Sequence, residues 1–181
     1  MSATRNPIGY LTKKTWEYSE GNRGWVVFYT FLFVCANLIA FLEPLVVAKL
    51  LNTIQEMGIT PDSFPVLIRI LLLFIVLEIL FWVFHGPARI IERKNSFIVR
   101  ANYKKYLVDG TLNLPPEWHT DHHSGDTFDK IEKGTTALYT YAGRTFEVIE
   151  TIIRFVSSYI ALVYFNFHAA YIVLFILIFI I

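Results

Sequence analysis

The sequence predicts an all-helical membrane protein whose helices continue well beyond the bilayer, and three observations carry that reading. Of 181 residues, 55% are hydrophobic and 17% aromatic, with a mean hydropathy of +0.48, too apolar for an ordinary soluble domain. The apolar residues gather into runs of span length separated by polar stretches, and the basic residues crowd on one side of those runs. Apolar positions spaced by three and four continue from the polar stretches into the runs, as long helices require.

Residues 1–24 are polar and mixed in charge, without the short apolar core and small-residue cleavage site of a secretory leader. Tyr10, Leu11, Trp16 and Tyr18 interleave with Lys13, Lys14, Glu17 and Glu20, which suits a short helix in the headgroup region or an unstructured tail. Residues 25–51 form a nearly continuous apolar run, interrupted by Asn37, Glu43 and Lys49. At ~1.5 Å per residue that run reaches roughly 40 Å, enough to span with some tilt. A second run, 66–86, carries Arg69 and Glu78; a third, 145–165, is amphipathic at its start with Arg154 inside it. A fourth, 167–181, is still apolar at Ile181, so it is expected to be a span cut short. Trp25, Tyr29, Trp82 and Phe84 read as interface aromatics, and the lone Cys35 as a small packing residue that cannot form an internal disulfide.

Basic residues set the orientation. Arg5, Lys13, Lys14 and Arg23 precede the first run, the loop 52–65 has none, and Arg89, Arg93, Lys94, Arg100, Lys104, Lys105, Lys130 and Lys133 follow the second. The N-terminus and the middle segment, 87–144, are therefore expected to be cytoplasmic, in a multi-pass protein of the cell membrane. A net charge of +1 gives no field that would draw nucleic acid.

The middle segment is the most informative. After a kink expected at Gly86-Pro87, the positions Ile90, Phe97, Ala101 and Val108 recur at helical spacing until Gly110. On the return side Phe128, Ile131, Thr135, Leu138, Ala142, Phe146, Ile149 and Ile153 form an unbroken seam. The spacing predicts one helix from residue 65 to about 109 and another from 126 to about 166, each roughly 60 to 70 Å long against a ~30 Å hydrocarbon core. A hairpin must then project from the membrane. Its tip opens at Pro115-Pro116 with a short helix around Trp118, over about 115–124, and Asp126 is expected to cap the returning helix.

The tip sequence Leu114-Pro115-Pro116-Glu117-Trp118-His119, followed by His123-Ser124-Gly125-Asp126-Thr127-Phe128-Asp129-Lys130-Ile131, together with Glu43-Pro44-Leu45 in the first run, resembles ATP-binding cassette (ABC) exporters over most of the chain. Trp118 stands alone where that family has an aromatic pair. The resemblance implies the exporter-type transmembrane bundle: an interfacial elbow helix in 1–24, then a partial transmembrane domain, 25–181. It also implies a coupling helix in which Glu117, Trp118, His119, Thr120, Asp121, His122, His123, Ser124 and Gly125 dock on a nucleotide-binding domain of the same or a separate chain. ATP and Mg would bind on that domain, a second transmembrane half would complete a dimer, and substrate would cross by alternating access. No GxxxxGK[ST] loop occurs here, so no ATP site and no catalytic residue is expected in this segment.

Other readings compete at particular residues. A plain solvated turn explains the glycine and prolines of the tip, though not the projecting helices. His119-Thr120-Asp121-His122-His123 has the HxxHH spacing of membrane di-iron desaturases and hydroxylases. Imidazoles at i, i+3 and i+4 can share a metal, but only His85 and His168 remain elsewhere, too few for two iron spheres. A membrane scaffold without turnover is the third reading. Charges within the runs are costly in lipid: Glu78 and Arg154 are expected to form a buried ion pair that fixes packing, or with Glu43 to line a polar translocation cavity.

Overall fold

The computed structural model describes residues 7–180, and every regular element among them is an α-helix. The order is α1 (Pro7–Tyr18), α2 (Arg23–Ala40), α3 (Glu43–Met57), α4 (Phe64–Leu112), α5 (Pro116–Asp121), α6 (Ser124–Ala142), α7 (Thr145–Phe165) and α8 (Phe167–Ile180). Met1 to Asn6 and Ile181 lie outside the described residues, including Arg5 and the end of the fourth apolar run. Two stretches, Arg23–Met57 and Phe64–Leu112, of 35 and 49 residues, are long and apolar enough to cross a membrane; among the described residues no other helix meets that measure. Helices α7 and α8 occupy the expected third and fourth runs, but α7 carries Glu147, Glu150 and Arg154, and α8 has 14 residues.

Several boundaries depart from the sequence pattern for local reasons. The first run is two helices, broken at Phe41-Leu42, because Pro44 lacks the N–H that would continue α2 into α3 and is suited to a first turn. The helix expected from 126 to 166 is also two: Gly143 ends α6, and α7 restarts at Thr145. Helix α4 continues through both Pro87 and Gly110. Asp126 is not a cap; it lies in the first turn of α6, where Lys130 Nζ binds it at 2.7 Å.

The chain forms two compact units. One comprises the described residues to Leu32 with Gly86–Phe146. Here α1 packs on α6, and Tyr18, Val99, Leu138 and Ala142 form the core with Leu11 and Tyr103 against it. The α1 contact is polar as well: Asn102 Nδ2 donates to the Tyr18 carbonyl at 2.9 Å, and Thr12 Oγ1 meets the Tyr141 hydroxyl at 2.6 Å. Of the two readings of the N-terminal segment, the helical one describes residues 7–18.

The α6 seam buries Ile131, Thr135, Leu138 and Ala142, as the spacing predicts, but its first member, Phe128, is exposed. The α4 seam does not: Ile90 and Phe97 are exposed, and the buried stripe is Ala88, Glu92, Asn95, Ser96 and Val99. Tyr29, expected at an interface, is fully buried in this unit, whereas Trp25 is exposed.

The second unit comprises Phe33–His85 and the residues from Glu147 on. Val46 of α3 packs on Ile70 and Leu77 of α4, with Ile39, Leu50 and Val66 around them. His85 stacks on Phe81 with ring centroids 4.9 Å apart, and Phe33 lies against it. Much of the α4 surface here is exposed Leu, Ile, Val and Phe, from Leu71 to Val83.

Candidate functional site

The tip of the first unit is built from the chain outward. Pro115, extended at φ −59 and ψ 151, leads into Pro116 at the first position of α5, where its missing N–H has no helical partner to lose. After one and a half turns the chain leaves through His122 and His123, both extended, and enters α6 at Ser124. Of the nine predicted coupling residues, Glu117 to Asp121 lie on α5, His122 and His123 form the connection, and Ser124 and Gly125 begin α6. Eight are exposed; Trp118 alone is half-buried.

Trp118 is held in place by its neighbours. The His122 imidazole lies flat on the indole, centroids 4.2 Å apart and 9° between planes, and His119 meets it edge-on. His122 Nδ1 is 2.9 Å from the Trp118 carbonyl, which only an Nδ1–H can satisfy, so the ring is fixed at both a face and a nitrogen. Thr120 Oγ1 donates to the Glu117 carbonyl at 2.8 Å. Behind the tip, a cavity of about 440 Å³ is floored by Val108, Leu112, Phe128 and Ile131 and rimmed by the three histidines. The histidines do not form an HxxHH metal cluster: among the described residues no three His, Cys, Asp or Glu are placed to hold a metal ion.

A polar core holds the helices that carry this tip. Glu92 on α4 is completely buried, and its Oε1 accepts the backbone N–H groups of Thr145 at 2.7 Å and Phe146 at 3.2 Å, the first two residues of α7. Its Oε2 meets Arg89 Nη1 at 2.5 Å, and the same nitrogen reaches the Gly143 carbonyl at 3.3 Å. Glu92 thus caps α7 from another helix, placing a negative charge where the helix dipole is positive. One turn on, Asn95 Nδ2 donates to Ser19 Oγ at 3.1 Å. A Cβ at Gly143 would come within 3.2 Å of Arg93 Nη1 and 3.4 Å of Ser96 Oγ, so the glycine allows α4 and the α6–α7 turn to approach closely.

Nearer the tip, Glu132 on α6 binds Arg100 Nη2 and, at 2.7 Å, Lys104 Nζ on α4. The hydrogen bond from Lys104, then that from Arg100, holds the Glu132 carboxyl below its ordinary range. Burial pushes the Tyr18 and Tyr103 hydroxyls above theirs.

The charges in the apolar runs are not arranged as the expected Glu78–Arg154 pair. Arg154 binds Glu150 one turn back on α7 at 2.8 Å, and Glu78 accepts the Trp82 indole N–H at 2.9 Å. Glu43 and Arg154 do line one cavity of about 620 Å³ in the second unit, with Asn37, Ser157 and Ser158, and Glu78 is not part of its wall. Of these, Asn37 was noted only as an interruption of the first run, and Ser157 and Ser158 escaped the sequence reading, as did Glu92 and Asn95; only the stripe Ala88, Glu92, Asn95/Ser96, Val99 at intervals of three and four hinted at a polar buried face. Comparison with protein-family models, with curated proteins and with solved structures finds no match.

Proposed function

We propose that the chain is the leading part of the membrane domain of an ATP-driven ABC exporter, and that residues 117–125 couple it to a nucleotide-binding domain. The observation that supports this most is the tip itself. A single half-buried indole, pinned by His122, is surrounded by exposed polar side chains, the anchor-and-rim composition of a docking element. It sits between the end of the 49-residue α4 and the start of α6, which are cross-linked by Glu132 to Arg100 and Lys104.

In this reading the segment 87–144 faces the cytoplasm, the helices outside it cross the membrane repeatedly, and a second transmembrane half completes the transporter. ATP and Mg bind on the nucleotide-binding domain, and its closure displaces the tip and the helices that bear it. This segment contributes coupling and part of the substrate path, and none of the hydrolytic chemistry.

The test is site-specific photocrosslinking in the intact protein in its native membrane, with a benzophenone amino acid in place of His119. The expected adduct is a peptide from a domain with a phosphate-binding GxxxxGK[ST] loop, its yield changed by ATP with vanadate. Adducts confined to lipid, or to a partner without such a loop, would sink the proposal.

A further inference from the structure

We infer that the 620 Å³ cavity of the second unit is a binding site for an amphipathic organic cation bearing N–H donors, a protonated primary or secondary amine on an apolar body. The cavity lies between the α2–α3 junction and α7, and its polar wall comprises Asn37, Glu43, Arg154, Ser157 and Ser158. The Glu43 carboxylate makes no hydrogen bond or ion pair among the described residues. Asn37 is 4% exposed; its Nδ2 donates to the Phe33 carbonyl at 2.9 Å, which leaves Oδ1 as the open end of a buried amide. Pro44 supplies no N–H to the carbonyl of Ala40, another wall residue.

The one cation on the wall is already engaged. Arg154 is bound to Glu150 at 2.8 Å on its own helix, so it does not neutralise Glu43. Ser157 spends its hydroxyl hydrogen on the Ile153 carbonyl at 2.6 Å. What remains uncompensated is the Glu43 carboxylate, beside the Asn37 amide oxygen and the Ser158 hydroxyl and walled by Phe41, Leu45 and Ile153. With the Arg154 charge offset by Glu150, Glu43 is the uncompensated charge on this wall, and a donor carrying positive charge satisfies it better than an anion would. A volume of about 620 Å³ falls in the range of drug-sized ligand pockets, roughly 300–1,000 Å³.

This inference rests on the membrane-transporter reading and gives its cargo class, but binding is measured without ATP, so the two fail separately. The probe is dansylcadaverine, a fluorescent primary amine, titrated into the intact protein in phosphatidylcholine nanodiscs, with empty nanodiscs subtracted. Glu43→Gln is expected to weaken binding at least tenfold, Glu43→Asp to retain part of it, and Glu78→Gln, outside the cavity, to leave it unchanged. N-acetyl dansylcadaverine, uncharged, is expected to bind both wild type and Glu43→Gln equally weakly. Asn37→Ala, with elution and melting matched to wild type, gives a second loss that does not depend on Glu43 variants folding. Equal binding of the amine to wild type and Glu43→Gln, or binding no stronger than that of the acetylated probe, would overturn the assignment. A lost ATP-dependent crosslink at the tip with amine binding intact would instead overturn export and keep this site.

Discussion

Glu92 accepts the backbone N–H of Thr145 at 2.7 Å from within a fully buried position, so the first turn of α7 is capped by a side chain that lies 53 residues away in sequence. Two consequences follow from the identity of that group. Its second oxygen already binds Arg89, and the side chain is fully buried, so removal takes the acceptor from the Thr145 and Phe146 N–H groups and the carboxylate from Arg89.

Glu92→Ala is therefore expected to destabilise the first unit by about 3–5 kcal/mol, the usual cost of breaking a buried charged pair. Glu92→Gln keeps one acceptor oxygen but not the charge and should lose less. Thermal unfolding of the purified variants in detergent, followed by circular dichroism, checks the order; equal melting of Glu92→Ala and wild type would refute the capping role.

Acid sensitivity centres on Glu132. Because its carboxyl is held below the ordinary value of 4.5 by Lys104 and then Arg100, its contribution is present in full above that value and is lost as the pH falls through the lower folded one. The α4–α6 pairing should loosen only as the pH falls below the ordinary glutamate range. Glu132→Gln should be less stable than wild type at pH 7, and the difference should vanish in acid. A gap that stays constant as the pH is lowered from neutral until the protein unfolds would show that the variant acts by something other than charge.

If the tip docks on a nucleotide-binding domain as proposed, Trp118→Ala is expected to weaken that docking by about 2 kcal/mol or more, roughly thirtyfold, as for an aromatic hot spot. Because the ring is only half-buried, the melting temperature should scarcely change. Crosslink yield from position 119 against partner concentration measures the first; a fall in melting temperature of the same weight as the docking loss would recast Trp118 as a folding residue.

The contact of Tyr141 with Thr12, 2.6 Å between oxygens, ties α1 to α6. Tyr141→Phe removes that bond and keeps the ring, so about 0.5–1.5 kcal/mol should be lost. Amide hydrogen exchange across residues 7–18 should quicken more than exchange in α4. Uniform quickening everywhere would place the effect elsewhere.

The helical class and the tip were legible because they rest on strong local signals. Proline pairs, a glycine and a lone tryptophan between periodic stretches fix α5 within a few residues, and the α6 seam has no polar competitor. The breaks at Phe41-Leu42 and Gly143 were harder to read, because in each case a third element or a missing N–H decides where the helix stops. On α4 the apolar pattern pointed to the wrong face. Ile90 and Phe97 are exposed, while Glu92 is buried against the start of α7, Asn95 donates to Ser19, and Ser96 donates to the Glu92 and Arg93 carbonyls. Hydrophobic periodicity finds faces that bury oil; it misses a face that buries hydrogen bonds. The Glu78–Arg154 pair failed for a related reason, since each charge found a partner one turn away on its own helix.

The flat contact between Trp118 and His122 also makes the tip its own optical gauge. Indole emission depends on what touches the ring, and only Trp16, Trp25 and Trp82 would add to the signal. With those three replaced by phenylalanine, the emission colour and lifetime of the remaining tryptophan would register any partner that slides across its free face or pries the imidazole away. Contact at the tip could then be followed in the intact protein without attaching a dye to it.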